Sequence, residues 1–183
     1  MNASIATQAF TCDPPMRASQ FLRSATRPLH DGVDHAFGGF DLGTAEGHAR
    51  FLRAHARILP AVERIVDPKG LLPDWEARAP LLLQDIATLG IKAPAQQAFV
   101  LPAGLAARWG ALYVLEGSRL GGAVLHRQLP PGAPDRFLAA RHPSGAWARL
   151  LALMDQADTG PSWRSDALAG ASATFRAFAE AAH

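Results

Sequence analysis

Residues 112–122 read LYVLEGSRLGG and lie inside the longest helical pattern of the chain, Leu105–Leu129. The segment is apolar at helical spacing, yet glycines interrupt the pattern repeatedly. Each glycine in a helix interior costs about 1 kcal/mol relative to alanine, and several together cost a large fraction of a typical folding free energy. We therefore expect the glycines to serve a purpose that offsets this cost. They are Gly110, Gly117, Gly121 and Gly122.

Three of these glycines share one side of the predicted helix. Gly117 and Gly121 are four residues apart, and Gly110 precedes Gly117 by seven. A helix side without side chains allows the backbone to approach either a second helix or a flat ligand closely, and it lets the helix bend. The glycines alone leave both explanations open.

A second segment, LRSATRPLH at residues 22–30, continues toward an aspartate four residues further on. If the segment is one helix, four polar side chains share one face. A histidine followed four residues later by a carboxylate is typical of a ligating imidazole, because the carboxylate accepts one N–H while the other nitrogen binds metal. A lone helical histidine is more often simply exposed or hydrogen-bonded, so that alternative stays open. The four residues are Arg23, Thr26, His30 and Asp34.

Pro28 interrupts this second segment two residues before His30. Proline in a helix interior costs about 3 kcal/mol, and it biases the preceding Arg27 away from helical geometry. Either the helix is kinked, or a new helical turn starts with Pro28 near its first position. In the second case Arg23 and Thr26 leave the shared face, while His30 and Asp34 stay paired.

The rest of the chain also follows helical periodicity, without alternating β-branched runs, internal repeats or a linker. We expect an all-α, single-domain fold over residues 16–183, preceded by a flexible arm at residues 1–15. His48 and His55 are expected at the polar edge of their helix, because no metal-binding pattern surrounds them. The further predicted helices are one capped by Thr44 and containing Pro60, one ending at Gly90, short ones near 135–140 and 146–156, and a last one from Trp163 onward.

Composition excludes several classes of protein. Lys plus Arg number 18 against 16 Asp plus Glu among 183 residues, a net charge of +2 that is too balanced for a dedicated nucleic-acid binder. The single cysteine, Cys12, excludes an internal disulfide framework and a cysteine zinc site. The sequence contains neither a long uncharged apolar run nor a signal-like N-terminus, so we expect a cytoplasmic protein without a membrane span.

Together the two segments resemble the heme oxygenases, specifically the bacterial biliverdin-producing branch often found with bacteriophytochromes. That family has an LR-x-x-T-x-x-x-H helix carrying the proximal heme ligand and, about ninety residues later, a Y-V-L-E-G-S-x-L-G-G helix over the other heme face. The likeness spans roughly residues 16–180 and includes Phe51–Ile58 and Trp109. It implies a helical fold with heme sandwiched between a proximal and a kinked distal helix.

The resemblance also implies roles for individual residues. His30 would be the proximal ligand and the metal-binding residue, with Asp34 as the acceptor of its second ring proton. Gly117 and Gly121 would lie against the distal heme face. Ser118 stands where the mammalian-type enzymes place an aspartate, which matches the bacterial branch, in which polar groups and ordered water deliver protons. The remaining candidates, expected to meet the heme propionates or line the pocket, are Arg23, Thr26, Arg149, Arg141, Phe175 and Phe178.

The reaction implied by the resemblance is the oxidative opening of heme b to biliverdin, carbon monoxide and ferrous iron with O2, so heme is both cofactor and substrate. Electrons must come from a partner, since the chain has no G-x-G-x-x-G fingerprint and no cysteine cluster. A ferredoxin or an NADPH-dependent reductase is the expected donor, and a bacteriophytochrome could accept the biliverdin. Two alternatives remain: a heme-binding or heme-delivery protein on the same fold without turnover, and a helical relative that binds another flat ligand.

Overall fold

The computed structural model describes residues 16–183, and all regular secondary structure in that range is helical. The predicted arm at residues 1–15, with Cys12, lies outside the described residues, so the division into arm and domain stays a prediction. The helices are α1 (Ala18–Ala25), α2 (Arg27–Gly38), α3 (Ala45–Val66), α4 (Ala79–Thr88), α5 (Leu105–Leu125), α6 (Arg136–Ala139), α7 (Ala146–Ala157) and α8 (Pro161–Ala181), with short 3-10 turns at Pro68–Gly70 and His126–Gln128.

Local sequence signals explain most helix boundaries. The Thr44 hydroxyl accepts a hydrogen bond of 3.0 Å from the backbone N–H of Gly47 and caps α3, as predicted. Beyond α4 the chain turns through Gly90, whose φ of 66° is accessible to glycine without strain. Helix α5, predicted to run from Leu105 to Leu129, ends at Leu125, four residues before the predicted end, because the backbone tightens into a 3-10 turn there.

The centre of the fold is the pair α5 and α8, which pack closely along their length. A side chain on Gly110 would overlap the carbonyl oxygen of Ala167, and one on Gly170 would overlap that of Ala107. Small residues therefore allow the two backbones to meet directly. Leucines from several helices surround this contact and form the buried core, among them Leu22, Leu52, Leu59, Leu82, Leu112, Leu115 and Leu150.

Helix α8 also packs against α1, α2 and α3, and α7 packs against α1 and α5. The α1–α7 contact is fixed at Ser19, whose backbone N–H and hydroxyl both donate to the carboxylate of Asp155 at 2.8 and 2.9 Å. Helices α2 and α5 are held by α8 rather than by extensive contact with each other. None of the helices between residues 16 and 183 has the length and hydrophobicity needed to cross a bilayer.

Candidate functional site

The side chains of His30 and Asp34 lie within hydrogen-bond distance of each other on the exposed face of α2. The Nδ1 atom of His30 lies 3.0 Å from Oδ2 of Asp34, and the two side chains are 61% and 67% exposed. The ring of Phe175, on α8, meets the His30 ring edge-on at a centroid distance of 6.0 Å. Asp34 thus engages one ring nitrogen, which leaves Nε2 available to a ligand.

The helix through this region is divided at Thr26, so the second of the two alternatives for Pro28 is the one observed. Helix α1 ends at Ala25, and Pro28 lies in the first turn of α2, where its missing N–H has no helical partner to lose. Thr26 is only 3% exposed and its hydroxyl donates to the carbonyl oxygen of Leu22 at 2.7 Å. The alternative in which one helical face carries Arg23, Thr26, His30 and Asp34 is therefore not observed, because Thr26 points into the protein while His30 is exposed.

Helix α5 presents an open apolar stripe that starts beside its contact with α8. Gly110, Tyr113, Gly117, Gly121 and Val124 follow each other at spacings of three or four residues. Gly110 is covered by α8, whereas a side chain on Gly121 would meet no atom within 4 Å. The side chains of Leu120 and Val124, which flank Gly121, are 47% and 59% exposed. We call Gly117, Leu120, Gly121 and Val124 the open stripe.

The glycines of α5 therefore serve two different purposes, helix packing at one position and an open surface at others. Gly110 allows helix packing, because α8 fills the space where its side chain would be. No backbone of another described helix lies against Gly117 or Gly121, and the neighbouring side chains Leu120 and Val124 are apolar and exposed. This stretch of α5 has the character of a surface for a flat apolar ligand.

Trp147 closes one end of the open stripe. Its Cη2 atom would lie 3.6 Å from a side-chain carbon on Gly117, which is ordinary van der Waals contact. The indole packs on the ring of Tyr113, with centroids 5.5 Å apart, and on the ring of His142 at 6.0 Å. Burial raises the pKa of the Tyr113 phenol. Arg23 and Thr26, which lie close to the phenol, act in the opposite direction and lower that pKa. Helices α5 and α7 and the α1–α2 junction thus meet at this aromatic group.

The polar side of α5 is anchored by a buried carboxylate. Glu116 accepts hydrogen bonds from Trp75 Nε1 at 2.7 Å and from Nε of Arg119 at 3.0 Å, and its other oxygen lies 2.9 Å from Nε2 of His142. Each buried charge therefore has a partner, as burial requires. The Glu-Gly-Ser-Arg part of the motif serves two purposes, since Glu116 and Arg119 fix the helix while Gly117 keeps its other side open.

Ser118 contacts a second buried cation. The Nη2 atom of Arg78 donates to the Ser118 hydroxyl at 2.6 Å and to the carbonyl oxygen of Leu115 at 2.9 Å. Burial, together with the nearby Arg119, lowers the pKa of Arg78 to about 10. Glu63, whose carboxylate accepts the first backbone N–H groups of α4, lies beside Arg78 and compensates its charge.

The prediction for His48 and His55 is wrong, because neither lies at a polar edge. His48 is 2% exposed. His55 is enclosed by the rings of Phe37, Phe51 and Phe137 at centroid distances of 4.3 to 5.1 Å, and its Nδ1 donates to the carbonyl of Phe51 at 3.0 Å. Burial lowers the pKa of His55 to about 4, so the ring is neutral at pH 7.

The remaining candidates are dispersed. Phe178 packs near His55, with ring centroids 5.9 Å apart, whereas Phe175 meets His30. Arg23, Arg141 and Arg149 are exposed. Arg141 and Arg149 form no ion pair with any residue that the structure describes. Their guanidinium groups are thus free to bind a carboxylate from outside the protein.

The two principal segments start from a common point. Thr26 and Tyr113 mark where the α1–α2 junction approaches α5. His30 follows Thr26 by four residues and Gly117 follows Tyr113 by four, so each lies about 6 Å along its helix from that point. An exposed imidazole and an open glycine stripe are thus carried by two helices that meet at one junction.

The residues favour a macrocycle over a protein-ligated metal ion. Between residues 16 and 183 no cluster of three or more His, Cys, Asp and Glu side chains could hold a metal. A metal bound by His30 would therefore take its other ligands from a bound molecule, as the iron of a porphyrin does. A flat porphyrin also fits a stripe in which Gly117 and Gly121 lack side chains.

Sequence reasoning missed Trp147, Arg78 and the Glu116–His142 pair, and it misplaced His55. His142 is 26 residues from Glu116 and Ser118 is 40 residues from Arg78, so no local spacing links these partners. The one available signal was the pair of charges inside the apolar LYVLEGSRLGG segment, since charges placed there need buried partners.

Comparison with known proteins agrees with this geometry. No protein-family model matches the chain. A heme oxygenase of Xanthomonas campestris pv. campestris (strain 8004) is 38% identical to it, over 73% of this chain and 87% of the relative. The chain belongs to the heme oxygenase family. The resemblance carried by the two motifs is thereby confirmed at the level of the family.

The fold of this heme oxygenase family member matches that of a solved structure. The crystal structure of the NO- and CO-bound heme oxygenase from Neisseria meningitidis has a TM-score of 0.77 to it, covers 91% of this chain and 90% of its own, and is 24% identical. The predicted all-α, heme oxygenase-like fold is confirmed. The bend of the distal helix stays a prediction.

Proposed function

We propose that this heme oxygenase family member binds heme between α2 and α5 and opens it oxidatively to biliverdin, carbon monoxide and ferrous iron. One observation carries the proposal. The exposed imidazole of His30, paired with a carboxylate, and Gly117 of the open stripe each lie about one helical turn from the point where the α1–α2 junction approaches α5. Family membership supports the reaction. Bound heme supplies the iron that activates dioxygen and is itself the molecule that is oxidised.

His30 holds the iron through Nε2 in this proposal, and Asp34 fixes the orientation of the ring. A hydrogen bond from Nδ1 to a carboxylate selects the tautomer that leaves Nε2 unprotonated, and it raises the basicity of that nitrogen. The observed Nδ1–Oδ2 distance of 3.0 Å supports this assignment. Phe175 limits the rotation of the imidazole from the α8 side.

Gly117 and Gly121 bring the α5 backbone against the distal heme face. A side chain at either position would hold the backbone about one carbon atom further away. Ser118 is the polar group next to this stretch, and its hydroxyl is oriented by Arg78 and Leu115. We assign Ser118 the task of holding water on the distal side, where protons are required.

The propionates of heme are carboxylates that need cationic partners at the edge of the pocket. Arg23 lies beside the junction of α1 and α2, and Arg149 lies on α7, two residues after Trp147. Both are exposed arginines, and arginine binds carboxylates with a planar two-point geometry. We assign Arg23 and Arg149, with Arg141 as a further candidate, to the propionates.

The proposal also includes the electron donor and the protein that receives the product. Electrons come from a ferredoxin or an NADPH-dependent reductase, because the sequence lacks a nucleotide fingerprint and a cysteine cluster. The biliverdin serves a bacteriophytochrome, and the protein acts in the cytoplasm.

Optical titration with hemin, followed by ascorbate in air, tests the function. We expect a Soret band that forms at a 1:1 ratio and then decays into a broad red absorption of biliverdin. A Soret band that persists under ascorbate would instead favour a heme carrier, and absence of a Soret band would exclude both activities.

A further inference from the structure

We propose that Trp147 is the stop against which the heme edge rests, and that it thereby determines which meso carbon faces the Gly117–Gly121 backbone. This inference rests on the proposed function and adds the residue that sets its regiochemistry. Trp147 lies on α7, outside both sequence motifs.

The open stripe has one closed end and one open end. At the closed end the indole of Trp147 is in van der Waals contact with the place where a Gly117 side chain would be. At the other end Gly121 has no neighbouring atom within 4 Å, and Leu120 and Val124 are exposed. Among residues 16–183, Trp147 is the side chain that meets the stripe at Gly117, so the edge of a flat ring lying on the stripe would rest against it there.

Trp147 is held firmly enough to act as a stop. Its indole packs against the rings of Tyr113 and His142, with centroid distances of 5.5 and 6.0 Å. His142 is in turn fixed by the buried carboxylate of Glu116 at 2.9 Å. Aromatic pairs at such centroid distances attract each other, so these contacts hold the indole in place.

The position of this stop determines regiochemistry because the four meso carbons of heme lie at different places around the edge of its plane. Since His30 holds the iron in the proposed function, the ring changes its seating by turning in its plane about the iron, and such a turn exchanges the meso carbon that lies beneath the backbone between Gly117 and Gly121. Replacing the indole by a smaller side chain opens space at the closed end and permits such a turn. Selection between poses that differ by a contact of this size is worth roughly tenfold or more.

The test compares Trp147→Phe and Trp147→Ala with the unmodified chain in two measurements. The first is the ratio of biliverdin isomers formed from hemin with ascorbate in air. The second needs no turnover: the heme methyl NMR shifts of the ferric cyanide complex report the in-plane orientation of the ring. Trp163→Phe is the matched control, since Trp163 is a half-buried indole in the first turn of α8, outside the open stripe.

We expect Trp147→Ala to change the isomer ratio by about tenfold and to move the heme methyl shifts, with a smaller effect for Trp147→Phe and none for Trp163→Phe. Unchanged ratio and shifts in Trp147→Ala, with a normal Soret band, would overturn the inference and leave the proposed function intact. Absence of a Soret band in the unmodified chain would overturn the proposed function and this inference with it.

Discussion

The guanidinium of Arg78 donates a 2.6 Å hydrogen bond to the hydroxyl of Ser118, and both groups also donate to the carbonyl oxygen of Leu115. Arg78 is 4% exposed, so this bond compensates part of the cost of burying its charge. The serine that the motif places on the distal side is therefore also a structural partner of a cation 40 residues earlier in the chain.

Replacing Ser118 by alanine removes one acceptor from a buried cation. We expect the free energy of unfolding to fall by about 1–3 kcal/mol, the usual cost of an unsatisfied buried polar group. Ser118→Asp should recover this stability, because a carboxylate in that place can accept from Arg78. Urea denaturation measures both, with Ser165→Ala, an exposed serine of α8, as the control. Equal stability of Ser118→Ala and the control would show that the hydrogen bond contributes nothing.

Alanine substitutions at two glycines of α5 should have opposite effects. Gly110→Ala places a methyl group on the Ala167 backbone, and we expect a loss of at least 1–3 kcal/mol in folding stability. Gly121→Ala meets open space, so folding should be unchanged or more stable by up to about 1 kcal/mol. Hemin affinity should nonetheless fall in Gly121→Ala, because the methyl group enters the proposed heme face. Thermal denaturation and hemin titration separate the two effects. Full hemin affinity in Gly121→Ala would contradict the assignment of the open stripe.

Asp34→Asn keeps the shape of the side chain but removes the negative charge next to His30. Loss of such a partner typically lowers metal affinity 10–100-fold, and we expect a weakening of about that size for hemin. Folding stability should hardly change, because the pair is exposed. Asp31→Asn, on the same exposed helix, is the matched control for titration with hemin. A variant that binds hemin as tightly as the control would remove Asp34 from the site.

His55 makes stability depend on pH in a direction that can be calculated. Burial lowers its pKa to about 4 in the folded state, against an ordinary histidine pKa of 6.5, so the unfolded chain binds a proton first as the pH falls. The stability that the neutral ring contributes is complete above pH 6.5 and is lost between pH 6.5 and 4. The shift corresponds to about 3 kcal/mol.

The comparison that isolates this contribution is His55→Phe against the unmodified chain. We expect the difference in free energy of unfolding between pH 7 and pH 5, measured by urea denaturation, to be smaller in His55→Phe. Exposed His35 gives the control variant, His35→Phe, whose pH dependence should match that of the unmodified chain. The same pH dependence in His55→Phe as in the control would show that His55 is not the group responsible.

The sequence predicted the parts of this fold that depend on local chemistry. The Thr44 cap, the turn at Gly90, and the helices near 146–156 and from Trp163 onward follow from spacing and propensity within a few residues. The His30–Asp34 pair was predictable for the same reason, since four residues separate two side chains on one helical face.

The rest depends on contacts between distant segments. The sequence allowed Thr26 to lie either on the same face as His30 or away from it. The choice depends on whether the helix is interrupted before Pro28, and the packing of the surrounding helices determines this. Trp147 contacts Gly117, 30 positions earlier in the sequence, through the packing of α7 on α5. His55 was assigned to a polar edge because a histidine is polar, whereas the phenylalanines that enclose it come from α2, α3, α6 and α8.

The measurement that tests the central claim most directly is a hemin titration of His30→Ala beside His35→Ala, with and without added imidazole. Both histidines are exposed on α2, so the two variants differ only in which ring is removed. The account predicts that His30→Ala loses the spectrum of an imidazole-ligated heme and its ring-opening activity, that free imidazole restores the spectrum, and that His35→Ala behaves as the unmodified chain. Normal ligation and turnover in His30→Ala would contradict the account.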